Sequence, residues 1–177
     1  MTRLNPLMTM GGHLLDTFAA HRPAMGHQER KDRAKSLLEQ VGIGAERFRA
    51  YPHEFSGGMR QRLAIALAIA LAPPLVIADE PTTSLDVAVA GQVMAVLRTL
   101  CEELGSALLL ITHDLAMANR WCEDMAVLDG GRLVEQNSSN QVLTHPQSEI
   151  GKRLVTAARA REGGDTPETP DGTAVLQ

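Results

Sequence analysis

From Leu63 to Ala78 the chain is almost wholly aliphatic, is broken once by Pro73-Pro74, and stops on Asp79-Glu80. No other stretch restricts the fold as much. It is too short to cross a bilayer comfortably, prolines interrupt it and acids follow at once, so a membrane span is rejected. The pattern from Met59 to Leu71 is helical and apolar nearly all round, which predicts a buried helix ended by the two prolines. Leu75 to Ala78 is then a short apolar run of the kind a parallel sheet covers on both faces. It delivers Asp79 and Glu80 to the strand's carboxyl end, where open α/β sheets hold their ligands.

The residues on either side give that strand end a chemistry. Ser56, Gly57 and Gly58 open the helix, and glycines there let backbone N–H groups come close to an anion at the positive end of the helix dipole. Adjacent acids at a strand tip make sense if one holds Mg²⁺ and the other orients or deprotonates a water. A solvated acidic turn explains Asp79-Glu80 equally well on its own. Joined to the Ser-Gly-Gly helix start and to Ser84-Leu85-Asp86, the functional reading is the better one.

This ordered set resembles the signature motif, Walker B and D-loop of the ATP-binding-cassette (ABC) ATPases. The run Tyr51-Pro52-His53-Glu54-Phe55-Ser56-Gly57-Gly58-Met59-Arg60-Gln61-Arg62 is similar to the ATPase subunits of peptide and nickel importers. The resemblance extends from about Leu4 to Pro146. It implies an α/β fold: a partial P-loop NTPase cassette with a parallel-sheet core and a helical subdomain. It also implies ATP and Mg²⁺ as ligands and a head-to-tail pairing with a second ABC ATPase subunit. Ser56, Gly57 and Gly58 then hold the γ-phosphate of a nucleotide bound to that partner, and Gln61 supports them. Asp79 holds Mg²⁺ through water, Glu80 is the general base, His113 senses the γ-phosphate, and Asp86 lies across the dimer interface. Transmembrane permease subunits, and indirectly a substrate-binding protein, are the further partners implied. The chain is then cytoplasmic and peripheral on the inner face of the membrane.

Composition agrees. With 177 residues, one domain with a real core is possible; with 3% aromatics that core is aliphatic. A net charge of −4 and so few aromatic residues argue against a general nucleic-acid binder. Cys101 and Cys122 are the only cysteines and have no metal-type spacing, which suggests a reducing compartment. The first residues lack the basic and apolar regions of a signal peptide. His13, His21 and His27 have no ligand-spaced companion and read as loop or surface residues.

In order along the chain, helices are predicted from about Met10 to Ala20 and from Gln28 to Val41, the second stopped by Gly42. A short helical turn, Glu46 to Tyr51, leads into the signature. Residues 1–54 match the family's helical subdomain. Residues 55–146 carry the ATPase core: a helix from Val87 to Leu104 with Val89, Val93, Val96, Leu97 and Leu100 inward, then a strand from Ala107 to Thr112 that delivers His113. Asp114 caps a helix from Leu115 to Trp121. Met125–Leu128 and Leu133–Gln136 form a hairpin around Asp129-Gly130-Gly131. Ser138 or Ser139 caps a small helix ending near Leu143. Residues 147–161 form a last helix, and 162–177 are predicted to be a disordered tail. Gln147-Ser148 departs from the Tyr-Thr usual in the peptide-importer family.

The sequence contains no G-x-x-x-x-G-K-[ST] loop to wrap nucleotide phosphates and no Q-loop glutamine. It reads as beginning inside a cassette, lacking the N-terminal strands. Three expectations follow. The strands at Leu75 and Ala107 lack neighbours and expose edges, the chain alone is marginally stable, and it binds little ATP by itself. Rival readings are a soluble non-transport ABC protein and a non-catalytic fragment that completes a partner's site. A hydrolase triad of Ser56, His113 and Asp79 is disfavoured because no G-x-S-x-G elbow is present.

Overall fold

The computed structural model describes residues 4–162 of the chain. They form two compact units divided in the chain between Ile111 and Thr112.

The first unit begins with α1 (Met10–His21), whose start is capped by the Thr9 hydroxyl accepting from the Gly12 N–H at 3.1 Å. Then comes α2 (His27–Gln40). Met10, Leu14 and Phe18 of α1 and Ala34, Leu37 and Leu38 of α2 are buried, as the helical spacing predicts. The short turn expected at Glu46–Tyr51 is two 3-10 turns, Ala45–Arg49 and Pro52–Glu54. Pro52 starts the second of them, where its missing N–H costs nothing.

Helix α3 runs from Gly57 to Ile69. Its inner side (Gly58, Leu63, Ile65, Ala66, Ile69) is buried, but Ala68 is exposed and Leu67 half-buried, so it is not buried all round. Alanine is small and a good helix former, so it sits equally well on an open face. β1 (Leu75–Asp79) and β2 (Ala107–Ile111) pair in parallel, with Ile77 opposite Leu109 and Asp79 opposite Ile111. The two strands are therefore each other's neighbours, correcting the expectation that both lack one. Burial on both faces is also corrected. Val76 and Ala78 are buried, whereas Leu75, Ile77, Leu109 and Ile111 are each about half exposed or more. A strand's side chains alternate between faces, and among the described residues one face of this two-stranded sheet is covered and the other is not.

Between the strands runs α4 (Val87–Leu104), with the bounds the sequence predicts. Its buried residues are Ala90, Val93, Met94, Leu97, Leu100 and Cys101, so Val89 and Val96 sit at the margin of the stripe. Side-chain size misled the prediction: Ala90 lies nearer the packed centre than either bulkier valine. No described helix is long and apolar enough to cross a membrane.

The second unit contains α5 (Leu115–Trp121), β3 (Asp124–Asp129), β4 (Arg132–Ser138), α6 (Ser139–Thr144) and α7 (Glu149–Glu162). Asp114 caps α5 by accepting from the Met117 N–H at 3.1 Å, and Ser138 caps α6. β3 and β4 are antiparallel, with Asp129 opposite Arg132. Gly130 and Gly131 between them have φ of 54° and 75°, the pair of left-handed residues a two-residue hairpin turn needs. Met125, Val127 and Val142 form a small core against Leu115, Ala118 and Ile150. The tail expected from 162 onward lies outside the described residues from 163 on, and Glu162 itself closes α7.

Candidate functional site

Ser56 stands at the start of α3 with φ −63° and ψ 166°, and its hydroxyl accepts from the Met59 N–H at 3.4 Å. Arg60 reaches back to donate to the Phe55 carbonyl at 2.5 Å, which holds the entry to the helix. Ser56 and Gly57 are exposed, and Gly58 is buried. The glycines have a packing reason besides any ligand. A Cβ at Gly58 would lie 2.6 Å from Val89 Cγ1, and one at Gly57 would lie 3.3 Å from Leu85 Cδ2. The start of α3 thus presses on the Leu85–Val89 segment. Sequence motifs far apart in the chain, Ser56-Gly57-Gly58 and Leu85-Asp86, are brought together by that approach.

Asp86 caps α4 by accepting from the Val89 N–H at 2.9 Å. It is exposed, with one carboxylate oxygen committed to the cap. Gln61 is half-buried, one turn into α3.

Arg62, on the same helix, ties three helices of the first unit. It donates to the Val41 carbonyl at the end of α2 (3.0 Å) and to Gln92 Oε1 on α4 (3.2 Å). Sequence reasoning passed over Arg62, because nothing local to it indicates either acceptor.

Asp79 ends β1 with an exposed side chain. Glu80, half-buried, has φ 45°. A non-glycine residue in that region is uncommon and is held there only by its surroundings. The restraint is visible: the Glu80 N–H donates to the Ile111 carbonyl at 2.9 Å, extending the ladder past the end of β1. The chain then turns sharply. The Thr83 N–H donates to the Glu80 carbonyl at 3.2 Å across Pro81-Thr82, and the Leu85 N–H donates to the Thr82 carbonyl at 3.1 Å. Pro81 presets the first of these turns. Thr83 Oγ1 donates to Glu80 Oε2 at 3.2 Å. No sequence pattern marked that contact.

Asp79, Glu80, Asp86, Ser56, Gly57, Gly58 and Gln61 all belong to the first unit. His113 is exposed and is the second residue of the other unit, two positions beyond Ile111 in the chain. Among the described residues no group of three or more His, Cys, Asp or Glu gathers as a metal cage. A single strand-end carboxylate suits Mg²⁺, which keeps several waters and is held through one or two carboxylates together with phosphates. Asp79 fits that role and does not fit a stand-alone site.

The ABC transporter family profile matches residues 2–83. The oligopeptide transport ATP-binding protein OppD of Escherichia coli K12 is 38% identical over 175 residues, spanning 97% of this chain and 52% of that protein. The peptidoglycan transport ATP-binding protein YejF of Agrobacterium fabrum is 42% identical over 159 residues, 89% of this chain and 29% of that protein. Among solved structures, the dimeric post-hydrolysis state of the ATP-binding cassette MJ0796, bound to ADP and Pi, superimposes with a TM-score of 0.67. Its sequence is 32% identical, over 77% of this chain and 59% of that one. The chain spans about half the length of the oligopeptide-transport relatives it matches.

Proposed function

We propose that this chain, which has a P-loop NTPase fold and is similar to ABC transporter ATPases, supplies part of the ATP-hydrolysing machinery of an importer, with peptides as the cargo class. The observation that carries the reading is the end of β1. There Asp79 stands exposed, Glu80 is held at positive φ by the Ile111 carbonyl, and the chain turns at once into the capped start of α4.

In this reading Asp79 provides one carboxylate to Mg²⁺, and the metal neutralises phosphate charge when bound. Glu80 takes the proton of the attacking water, and His113 bonds the terminal phosphate. Ser56, Gly57 and Gly58 present the start of α3 to a nucleotide carried by a second subunit, with Gln61 behind them and Asp86 at the subunit boundary. Support for a paired arrangement comes from the dimeric cassette with which the chain superimposes. Permease subunits in the membrane and, through them, a substrate-binding protein complete the assembly, so the chain works at the cytoplasmic face of a membrane.

The 177 residues contain no Gly-rich loop with a lysine to cradle phosphates. By themselves they bind ATP weakly or not at all, and chemistry at Glu80 requires a phosphate loop beside it. The test has two arms. Calorimetric titration of the purified chain with Mg·ATP should give no saturable heat, and a saturating isotherm would overturn this part. In a complete cassette that carries a phosphate loop together with these residues, Glu80→Gln should lower turnover by about 10²–10⁴-fold and leave nucleotide binding intact. Unchanged turnover would remove Glu80 as the base.

A further inference from the structure

We infer that Thr83 is a positioning residue for the Glu80 carboxylate, an inference that rests on the reading of Glu80 as the general base. Pro81 follows Glu80 directly, and the Thr83 N–H bonds the Glu80 carbonyl at 3.2 Å, so residues 80 and 83 are the first and last of one tight turn. That closure brings the two side chains to the same side of the turn. The Thr83 hydroxyl then donates to Glu80 Oε2 at 3.2 Å.

Glu80 needs such help. It has a flexible side chain with considerable rotamer freedom. Its backbone is already in the left-handed region, at φ 45°. The backbone is fixed from the strand side by the Ile111 carbonyl. The Thr83 hydroxyl acts at the other end, on a carboxylate oxygen. A base held in one orientation reacts from a near-attack geometry and does not have to find it at each turnover. The O–H···O distance is longer than the ordinary range, as apo-state catalytic contacts often are before substrate tightens them.

A hydroxyl on a carboxylate is chemistry that serine can reproduce and valine cannot. Valine keeps the branched shape of threonine and so keeps the turn. The next residue, Ser84, sits at φ 72° and follows the same turn sequence, so the test substitution leaves it alone.

The experiment compares Thr83→Val, Thr83→Ser and Glu80→Gln in the full chain. Crystal structures of the wild type, Thr83→Val and Thr83→Ser read the side chain directly. The Glu80 carboxylate should leave its place in the valine variant and keep it in the serine variant; an unmoved carboxylate in Thr83→Val overturns the inference. In a complete cassette carrying the phosphate loop, Thr83→Val should lower kcat about tenfold, the size of one hydrogen bond, with KM for ATP unchanged. Thr83→Ser should restore most of it. A Thr83→Val enzyme with wild-type kcat, measured where Glu80→Gln is inactive, also overturns the inference. If Glu80→Gln is itself fully active, the general-base assignment falls, and the crystallographic comparison still decides whether Thr83 orients the side chain.

Discussion

Gly58 and Val89 approach so closely that any Cβ at position 58 would stand 2.6 Å from Val89 Cγ1. One residue of the signature-like segment is therefore fixed by packing against the helix that follows Asp86. Val89 is itself the residue whose N–H the Asp86 carboxylate caps. The contact links the two segments physically, and a change at one is felt at the other.

Gly58→Ala should destabilise the first unit by about 1–3 kcal/mol, the usual cost of forcing an extra carbon into a packed contact. Gly57→Ala should cost less, because its nearest atom is the flexible end of Leu85 at 3.3 Å. Urea unfolding of the two variants checks the order. Equal midpoints for Gly58→Ala and wild type would show that α3 and α4 can separate freely there.

A second anchor lies in the other unit, at the residues where the sequence leaves the peptide-importer pattern. Glu135 on β4 is buried, and its carboxylate accepts from the Gln147 N–H (2.8 Å), the Ser148 N–H (2.9 Å) and the Ser148 hydroxyl (2.6 Å). The Ser148 hydroxyl and then the Gln147 amide hold the Glu135 carboxyl below its usual range, with a smaller contribution from the Lys152 charge. A carboxyl whose pKa falls on folding stabilises the fold above its unfolded value. That stabilisation is lost as pH falls through the lower folded value. The second unit should therefore loosen toward acid pH, and Ser148→Ala should flatten that acid dependence. Thermal melts between neutral pH and pH ~3 check this; identical slopes in Ser148→Ala and wild type would exclude the Ser148 bond as the cause.

The two cysteines should differ in reactivity. Burial, and then the neighbouring Glu102 charge, push the Cys101 thiol above its ordinary value. A raised thiol pKa means less thiolate at neutral pH, and the thiolate is the reacting form. Cys122 is only half-buried. Iodoacetamide labelling followed by mass spectrometry of the native chain should modify Cys122 first and Cys101 only on unfolding. Equal labelling of both would show that α4 opens readily.

Much of this was legible in the sequence because it is local. Ser56 opens α3, Asp114 caps α5 and Gly130-Gly131 turn the hairpin, each as short-range rules predict, whereas the Asp86 cap on α4 was not read. The parallel partnership of β1 and β2 was half legible, since two apolar runs separated by a helix form such a unit. What could not be read were contacts between residues distant in sequence. Arg62 on the Val41 carbonyl and Glu135 on Ser148 are set by how elements pack, and a side chain's polarity does not name its partner. The Thr83–Glu80 contact is local yet was also missed. A turn's type can be inferred from Pro81, but the rotamers that turn two side chains toward each other cannot.

The uncovered sheet face gives the last prediction. Ile77 and Leu109 are cross-strand partners, 60% and 49% exposed, with Leu75 and Ile111 beside them on the same face. Contiguous apolar surface of this kind is uncommon on a free monomer, and parallel strands are ordinarily covered on both sides. Water gains by having that surface removed, so copies of the purified chain should associate through it as concentration rises. Placing charge there opposes association directly, since a lysine in a joined face would be desolvated without a partner. The same lysine costs the monomer little, because the position is already open to water. Ile77→Lys combined with Leu109→Lys should therefore shift light-scattering mass toward the monomer while leaving the helical circular dichroism near wild type. Unchanged association in the doubly charged variant would mean that copies meet elsewhere, and collapse of the helical signal would mean that the face is closed in solution.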